Sequence, residues 1–401
     1  MLAKIIFGTR FGDLFRLSLL CAGLLVNTAN LHADSSTIDI RIGYLKLQAK
    51  PPAALSNLDP VPTDLGVAGL RLAIADNNTT GQFTHQKFIL KEVIVGAGGG
   101  VVGAFNALTA EKYNFVVASL PVELIRQLAP IAKAKNLMVF DVLTSDDELR
   151  VAQCHSNVLH LMPSRAMRAD ALAQYLFKKN WRDWFLVVGP DVSDRLYATA
   201  LKRAAKRYGM NVVDEKNWEF THDARRTAQS EVPVFTQGTD YDILVVADEA
   251  GLFGEYLAYR TWKPRPIAGS QGLVATAWHR THEQWGAVQL QNRFKEKSGR
   301  WMAEEDYAAW LAGRVIGEAA TRTQSSDFEK IKAYITGGEF ALAGFKGKKL
   351  SFRSWNGQLR QPVLLAGARS MVAVAPLEGF LHPTNELDSL GFDKPEVKCS
   401  Y

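Results

Sequence analysis

Residues 279–283 read His-Arg-Thr-His-Glu, and two imidazoles three positions apart beside a carboxylate raise the question of a metal. The zinc-protease arrangement needs the acid between two histidines four apart on a helix. In this sequence the acid follows both histidines, and a helix beginning near Thr281 leaves His279 in a loop and His282 on the first turn. Neither this group nor any Cys/His spacing fits zinc, so no metal is expected. Gly96-Ala97-Gly98-Gly99-Gly100 lies between a strand-like and a helix-like run but lacks the spaced third glycine and the acid about 20 residues on that a dinucleotide needs. There is no Gly-x-Ser-x-Gly elbow and no assembled Ser/His/Asp set, so no catalytic residue, no cofactor and no enzyme activity is expected.

The remaining chemistry-bearing residues suit binding. Ser119 ends a buried run just before Pro121, where a hydroxyl and helix N-terminal N–H groups suit an anion or a hydroxyl. Thr144-Ser145-Asp146-Asp147-Glu148 ends another run and either binds a cation or caps a helix. Asp191 and Arg195 open the next helical segment, and Arg195 would pair an acidic group. Asp248 and Glu249 end the Ile243–Ala247 run, and Asp248, like Asp146, would accept from a cation or from hydroxyls. Five of the nine tryptophans fall between Trp262 and Trp310. A tryptophan beyond a strand end makes an apolar pocket wall, which is the role expected of Trp278. The expected ligand-binding set is Ser119, Asp146, Asp191, Arg195, Asp248 and Trp278.

Those residues need elements to hold them. Strand-like runs at Ile38–Leu45, Phe88–Val95, Phe115–Ser119 and Leu137–Val142 alternate with helix-periodic segments, the pattern of a parallel sheet covered on both faces. A second series follows, with strands at Trp184–Gly189, Asn211–Asp214, Ile243–Ala247 and Pro266–Ser270. Helices are expected at Pro163–Lys179, Asp194–Tyr208, Ala250–Tyr259, His282–Lys297 and Glu304–Arg322, and Asp223–Ser230 reads as a short one. Lys349–Phe352 and Met371–Ala375 read as antiparallel strands. The fold class is therefore α/β: two doubly wound lobes with their strand carboxyl ends around one cleft, where such folds bind ligands. Residues 38–150 with part of about 250–340 form the first lobe, and 160–250 with about 345–375 the second. Residues 376–401 form a C-terminal tail. A chain that crosses several times makes a multi-strand hinge.

Lys4, Arg10 and Arg16, then the short apolar run Leu17–Val26, then Leu31-His32-Ala33, read as a secretory signal peptide over residues 1–33. The run falls short of the ~20 residues a membrane span needs. Without that segment 44 basic and 40 acidic residues remain, scattered, so nucleic acid is not an expected partner. An exported chain meets an oxidising space, and Cys154 and Cys399 either form a disulfide or stay free.

Longer strings carry a resemblance. IRIGYL, TSDDELR, HLMPSRAMRADALAQYL and WFLVVGPDVSDRLYATALKRAAKRYGMNVV resemble the type I periplasmic solute-binding proteins, in the branch of leucine/isoleucine/valine binders of ABC importers. VADEAGLFGEYLAYRTWKPRPIAGSQGL, TAWHRTHEQWGAVQLQNRF, LAGFKGKKLSFRSWNGQLRQPVLLA and EGFLHPTNELDSLGFDKPE resemble a subfamily of substrate-binding proteins associated with PQQ-dependent alcohol dehydrogenase systems. The resemblance implies a monomeric periplasmic protein that captures a small molecule and presents it to an ABC permease. The alternative is a non-transport sensor or accessory protein of the dehydrogenase system with the same fold. By the family pattern Ser119 takes a carboxylate, and Asp248 or Glu249 an amine. Arg195-Leu196 replaces the Tyr-Gly of amino-acid binders, and Asp146 and Asp147 crowd the second hydroxyl position, which counts against an amino-acid ligand.

Overall fold

The structure, a computed structural model, describes residues 37–48, 61–219 and 228–399. The signal-peptide reading falls outside them, as does most of the proline-rich loop before Pro62 and of the expected Asp223–Ser230 helix. Among the described residues no helix is long and apolar enough to cross a membrane.

The first sheet is built from β1 (Ile38–Leu47), β2 (Gln86–Val95), β3 (Phe115–Ser119), β4 (Met138–Asp141) and β5 (Val158–His160), all parallel in the order β2-β1-β3-β4-β5. Every residue of β3 and β4 is buried, as expected of a sheet with both faces covered. α1 (Val67–Thr84) covers one face, and α2 (Val101–Ala110) and α3 (Val122–Ala134) pack into the apolar cluster on the other. The Gly96–Gly100 turn only joins β2 to α2 and is solvent-exposed.

The second sheet contains β6 (Asp183–Val188), β7 (Asn211–Asn217), β8 (Ile243–Ala247), β9 (Ile267–Gly269), β10 (Leu273–Thr276), β14 (Val363–Gly367) and β15 (Ser370–Ala375), in the order β15-β14-β10-β9-β8-β6-β7. The strands from β7 to β10 are parallel, and β14 and β15 add as an antiparallel edge. α5 (Arg165–Lys178) and α6 (Val192–Tyr208) cover one face; α7 (Ala228–Phe235) and α8 (Gly254–Leu257) lie toward the other, in the cluster built on Phe185 and Phe253. α4 (Glu148–Val151) lies between β4 and β5, and between β10 and β14 come α9 (Ala287–Ser298), α10 (Glu304–Thr323), α11 (Phe328–Thr336) and a small antiparallel sheet of β11 (Leu342–Ala343), β12 (Lys349–Phe352) and β13 (Leu359–Arg360). α10 packs against α1 so closely that a Cβ on Gly69 or Gly313 would collide with the facing helix.

The chain passes between the two sheets three times: at 161–164 into α5, at 277–286 out of β10, and at 361–362 into β14. Buried amides lace the first and third passages together. Gln361 Nε2 donates to Leu161 O at 2.5 Å, and Gln358 Nε2 to Met162 O at 3.0 Å. Buried Lys346 donates to Gln361 Oε1 at 2.7 Å and Pro362 O at 2.9 Å. Arg150 Nε holds Gln358 Oε1 at 2.6 Å.

Three local expectations are corrected. The helix expected over Ala250–Tyr259 is reduced to α8, because Asp248 and a left-handed Gly251 (φ 68°) wind the segment into a capped turn. The helix expected from His282 begins at Ala287, because Trp285 and Gly286 both adopt positive φ. Strands β10 and β14 were not anticipated; both are short and mostly apolar.

The tail returns along the second lobe. Asp170 on α5 accepts from Arg203 (3.1 Å), Arg207 (3.0 Å) and the Gly391 N–H (2.8 Å). Beyond it, Lys398 N donates to Val151 O at 2.8 Å, and Cys399 is bonded to Cys154, between α4 and β5 of the first sheet. This settles the open question of the two thiols. The bridge closes a 245-residue separation. Constraining so long a loop in the unfolded chain is worth about 2–5 kcal/mol. Cys399→Ser, or reduction of the native protein, is expected to lower the denaturant midpoint accordingly in equilibrium unfolding; an unchanged midpoint would show that the bridge contributes nothing.

Candidate functional site

A cavity of about 800 Å³ opens where the carboxyl ends of both sheets converge. From the first lobe it takes Pro121–Glu123 after β3, Leu143–Asp146 after β4 and Met162 after β5. From the second it takes Val192, Ser193, Leu196 and Tyr197 on α6, Asp248, Glu249 and Gly251 after β8, and Ser270 and Gln271 after β9. Arg165 and Arg168 on the first turns of α5 and Ala303–Glu305 at the start of α10 complete the wall.

Of the six expected site residues, Asp146 and Asp248 line the cavity. Asp146 Oδ1 accepts from Leu149 N (3.0 Å) and Arg126 (3.4 Å), so the capping role is present as well. Asp248 is committed to its own loop: its two oxygens accept from the N–H groups of Leu252 (2.9 Å), Phe253 (3.0 Å) and Gly254 (2.6 Å). Ser119 is buried one layer behind the wall and donates to Glu305 Oε1 at 2.6 Å. Asp191 and Arg195 are exposed outside the lining; Asp191 N donates to Asp194 Oδ2 at 3.1 Å, and Arg195 turns back to Pro190 O. Their helix reaches the cavity through Val192, Ser193, Leu196 and Tyr197 instead. Trp278 does not form the cleft wall expected of it. It is 2 % exposed and stacks on Tyr307 at 4.4 Å in the first-lobe core, because the chain after β10 turns inward to leave the sheet. His282 is likewise buried, bonded through Nε2 to Phe345 O at 2.8 Å. Among the described residues no group of three or more His, Cys, Asp or Glu could hold a metal ion, so Asp146, Asp147, Asp248 and Glu249 do not converge as ligands.

The charged lining residues the sequence did not single out are Glu123, Arg165, Arg168, Glu304 and Glu305. Two guanidiniums in the first turns of a helix oppose its dipole, so they need acidic partners. Arg165 pairs with Glu249 at 2.6 Å, and Arg168 with Glu304 at 3.1 Å. Arg168 also donates to Ala275 O at 3.0 Å, while Glu304 Oε2 accepts from Thr276 Oγ1 (2.7 Å) and Ala277 N (3.0 Å). Burial acts to raise the Glu304 pKa, but Arg168 and these donors outweigh it and hold it below the usual carboxylate range. Burial dominates at Glu249 and Glu305 and pushes both up, against Arg165 in one case and Lys46 in the other. The only signal for the arginines was their i, i+3 spacing after the Ser164 N-cap.

Behind the β4 loop, Asp141 accepts from Thr144 N (2.9 Å), Thr144 Oγ1 (2.5 Å) and His160 Nδ1 (2.9 Å). Burial, aided by nearby Arg150, drops the His160 pKa from 6.5 to about 4, so the ring is neutral in the fold.

The cleft, its strand-end lining and the twofold α/β architecture are those of type I periplasmic binding proteins. Residues 66–370 match the model of the family described as periplasmic binding protein. The chain belongs to the periplasmic binding protein family. Solved structures agree on the fold. A branched-chain amino acid ABC transporter periplasmic ligand-binding protein from Burkholderia xenovorans LB400 is 15 % identical, with 84 % of this chain and 95 % of that one covered and a TM-score of 0.65. A leucine-, isoleucine-, valine-, threonine- and alanine-binding protein from Brucella ovis, in its closed conformation, is 16 % identical over 85 % and 93 % of the chains, TM-score 0.64. A solute-binding protein of an ABC transporter from R. palustris in complex with benzoate is 11 % identical over 90 % and 100 %, TM-score 0.62. No curated protein sequence matches the chain.

Two outcomes follow. Asp248→Ala leaves three loop N–H groups without their acceptor, and hydrogen bonds to a charged group are worth about 1.5–3 kcal/mol each. Urea unfolding is expected to show a loss of about 2–4 kcal/mol, whereas a wild-type midpoint would mean the loop does not need this carboxylate. For His160, the unfolded chain takes up a proton below pH 6.5 and the fold does so only near 4. Its contribution is therefore complete above 6.5 and is lost as pH falls through that window. The urea midpoint should decline from pH 6.5 to 4, and His160→Gln should flatten that decline.

Proposed function

We propose that this chain is the periplasmic substrate-binding component of an ABC-type importer, which captures a small polar solute in the cleft and closes around it by hinge motion. The observation that carries this reading is the 800 Å³ cavity at the strand ends of both sheets, and the three chain passages between the sheets would serve as the hinge. No bond need be made or broken. The solute contacts both lobes only when they are closed, and that difference in contacts shifts the open–closed equilibrium. One structural neighbour is in complex with benzoate and another with Leu, which supports a ligand of that size. The long strings that resemble the subfamily of PQQ-dependent alcohol dehydrogenase systems favour an association with periplasmic alcohol oxidation, with the closed form recognised by a permease. Of the residues first singled out, Asp146 is the one proposed to meet the solute directly, with Ser119 acting through Glu305.

A thermal-shift screen of the protein against alcohols, aldehydes, carboxylates, amino acids, amines and PQQ tests the reading. A true solute at 100 times its Kd adds about 2.7 kcal/mol to stability and raises Tm in a concentration-dependent way. Small-angle scattering should then show a smaller radius of gyration with that compound. If no solute shifts Tm, or if binding leaves the radius unchanged, capture by closure is wrong.

A further inference from the structure

The charge of the cleft opposes the charge of the chain. The chain carries a net +6, yet the charged side chains lining the cavity are six acids, Glu123, Asp146, Asp248, Glu249, Glu304 and Glu305, against Arg165 and Arg168. Both guanidiniums are paired with acids, at 2.6 Å and 3.1 Å, with Arg168 Nε left without a partner among the described residues; Glu305 is in turn paired with Lys46 at 3.2 Å and Asp146 with Arg126 at 3.4 Å. Asp248 is taken up by backbone N–H groups. Two buried carboxylates keep an open oxygen. Glu305 receives Ser119 Oγ at 2.6 Å and Lys46 Nζ at 3.2 Å on the same Oε1, leaving Oε2 without a hydrogen bond among the described residues. Asp146 receives both its donors on Oδ1, which leaves Oδ2 in the same state. These residues are 7 % and 6 % exposed.

A second, independent observation comes from the opposite wall. Tyr197 on α6 is 3 % exposed and lines the cavity, yet its hydroxyl has no hydrogen-bond partner among the described residues. Tyr197 shares the lining with Arg165, Arg168, Glu249 and Glu304. Open carboxylate oxygens are completed by donors that carry positive charge, which form the strongest hydrogen bonds. The strand-end hydroxyl of Ser119, suited to receiving an anion, is instead donated to the protein's own Glu305. Leu143, Met162, Leu196 and Val274 supply apolar wall beside these groups.

We propose that the solute is a small organic cation, an amine whose ammonium N–H groups are received by Glu305 Oε2 and Asp146 Oδ2, whose polar end reaches Tyr197, and whose apolar body lies on the leucine, methionine and valine wall. This rests on the reading of the cleft as a solute site and adds the sign of the solute's charge. A solute bearing a carboxylate would meet an acid-lined pocket in which both arginines are already engaged, and the field there disfavours it.

The test uses isosteric probes on the full chain: 3-methylbutylamine, leucine, 4-methylpentanoate and 3-methylbutanol, and in parallel benzylamine, benzoate and benzyl alcohol, with 1,4-diaminobutane as a longer cation. Affinities come from calorimetry and thermal shift. At least one amine is expected to bind ten-fold or more tightly than its carboxylate and alcohol counterparts. That preference should fall at least ten-fold in Asp146→Asn and in Glu305→Gln, and less in Tyr197→Phe, which keeps the packing. Circular dichroism and the unliganded Tm establish that each variant is folded; should Glu305→Gln fail to fold, Asp146→Asn carries the comparison. Tighter binding of a carboxylate or of leucine overturns the cation proposal and leaves solute capture standing. Amine binding that both carboxamide variants retain in full overturns the assignment of these carboxylates. Absence of binding by every amine also overturns the cation proposal, whereas solute capture falls only if the broad panel of the preceding section fails too.

Discussion

The carboxylate of Glu304 stands where two of the three passages between the sheets meet the cleft. One oxygen pairs with Arg168, just after the chain has entered α5. The other accepts from Thr276 and Ala277, just as the chain leaves β10. A single side chain at the start of α10 thus fixes the relative position of two passages and of the helix that covers the first sheet. The third passage is tied to the first by neutral amides, through Gln358 and Gln361. The strand ends face one another across a cavity because these three crossings are held in one place. Ion pairs hold the junction beside the cleft, and deeper in, the amides of Gln358 and Gln361 receive the buried cations Arg150 and Lys346, since a buried charge needs a polar partner.

Much of the framework was legible in the sequence because parallel strands covered on both faces are written as continuous apolar runs. Phe115–Ser119 and Ile243–Ala247 are such runs, and both are central strands. Edge and passage segments were harder to read. Leu273–Thr276 is four residues long and follows another short strand after a glycine turn, so nothing local separates it from a loop. The segment from Ala250 looked helical by composition, but the stability of its turn lies in three hydrogen bonds to a carboxylate, which periodicity does not register. Trp285 at positive φ is equally invisible to pattern, since only the packed tertiary structure imposes that strain.

For the site, the sequence located the right loops but not always the right atoms. Strand-end positions are predictable, so Asp146 and Asp248 fall on the lining. Whether a side chain faces the cavity depends on helix phase, and α6 presents Val192, Ser193, Leu196 and Tyr197 while turning Asp191 and Arg195 away. Glu304 meets Arg168 across 136 residues and Glu305 meets Ser119 across 186, and no local spacing announces such meetings. Trp278 drew attention for its type, and its placement shows a different use: it seals the second passage against Tyr307.

The C-terminal tail has a mechanical meaning. It is anchored to α5 and α6 of the second lobe through Asp170, Arg203 and Arg207, and it ends covalently on the first lobe at Cys154. A strap fixed to both halves, running beside the passages and not across the mouth, does not block entry to the cleft. If the halves move about the passages as proposed, such a strap would limit how far they swing apart and so narrow the set of open shapes. Fewer open shapes would leave less conformational entropy to lose on closing.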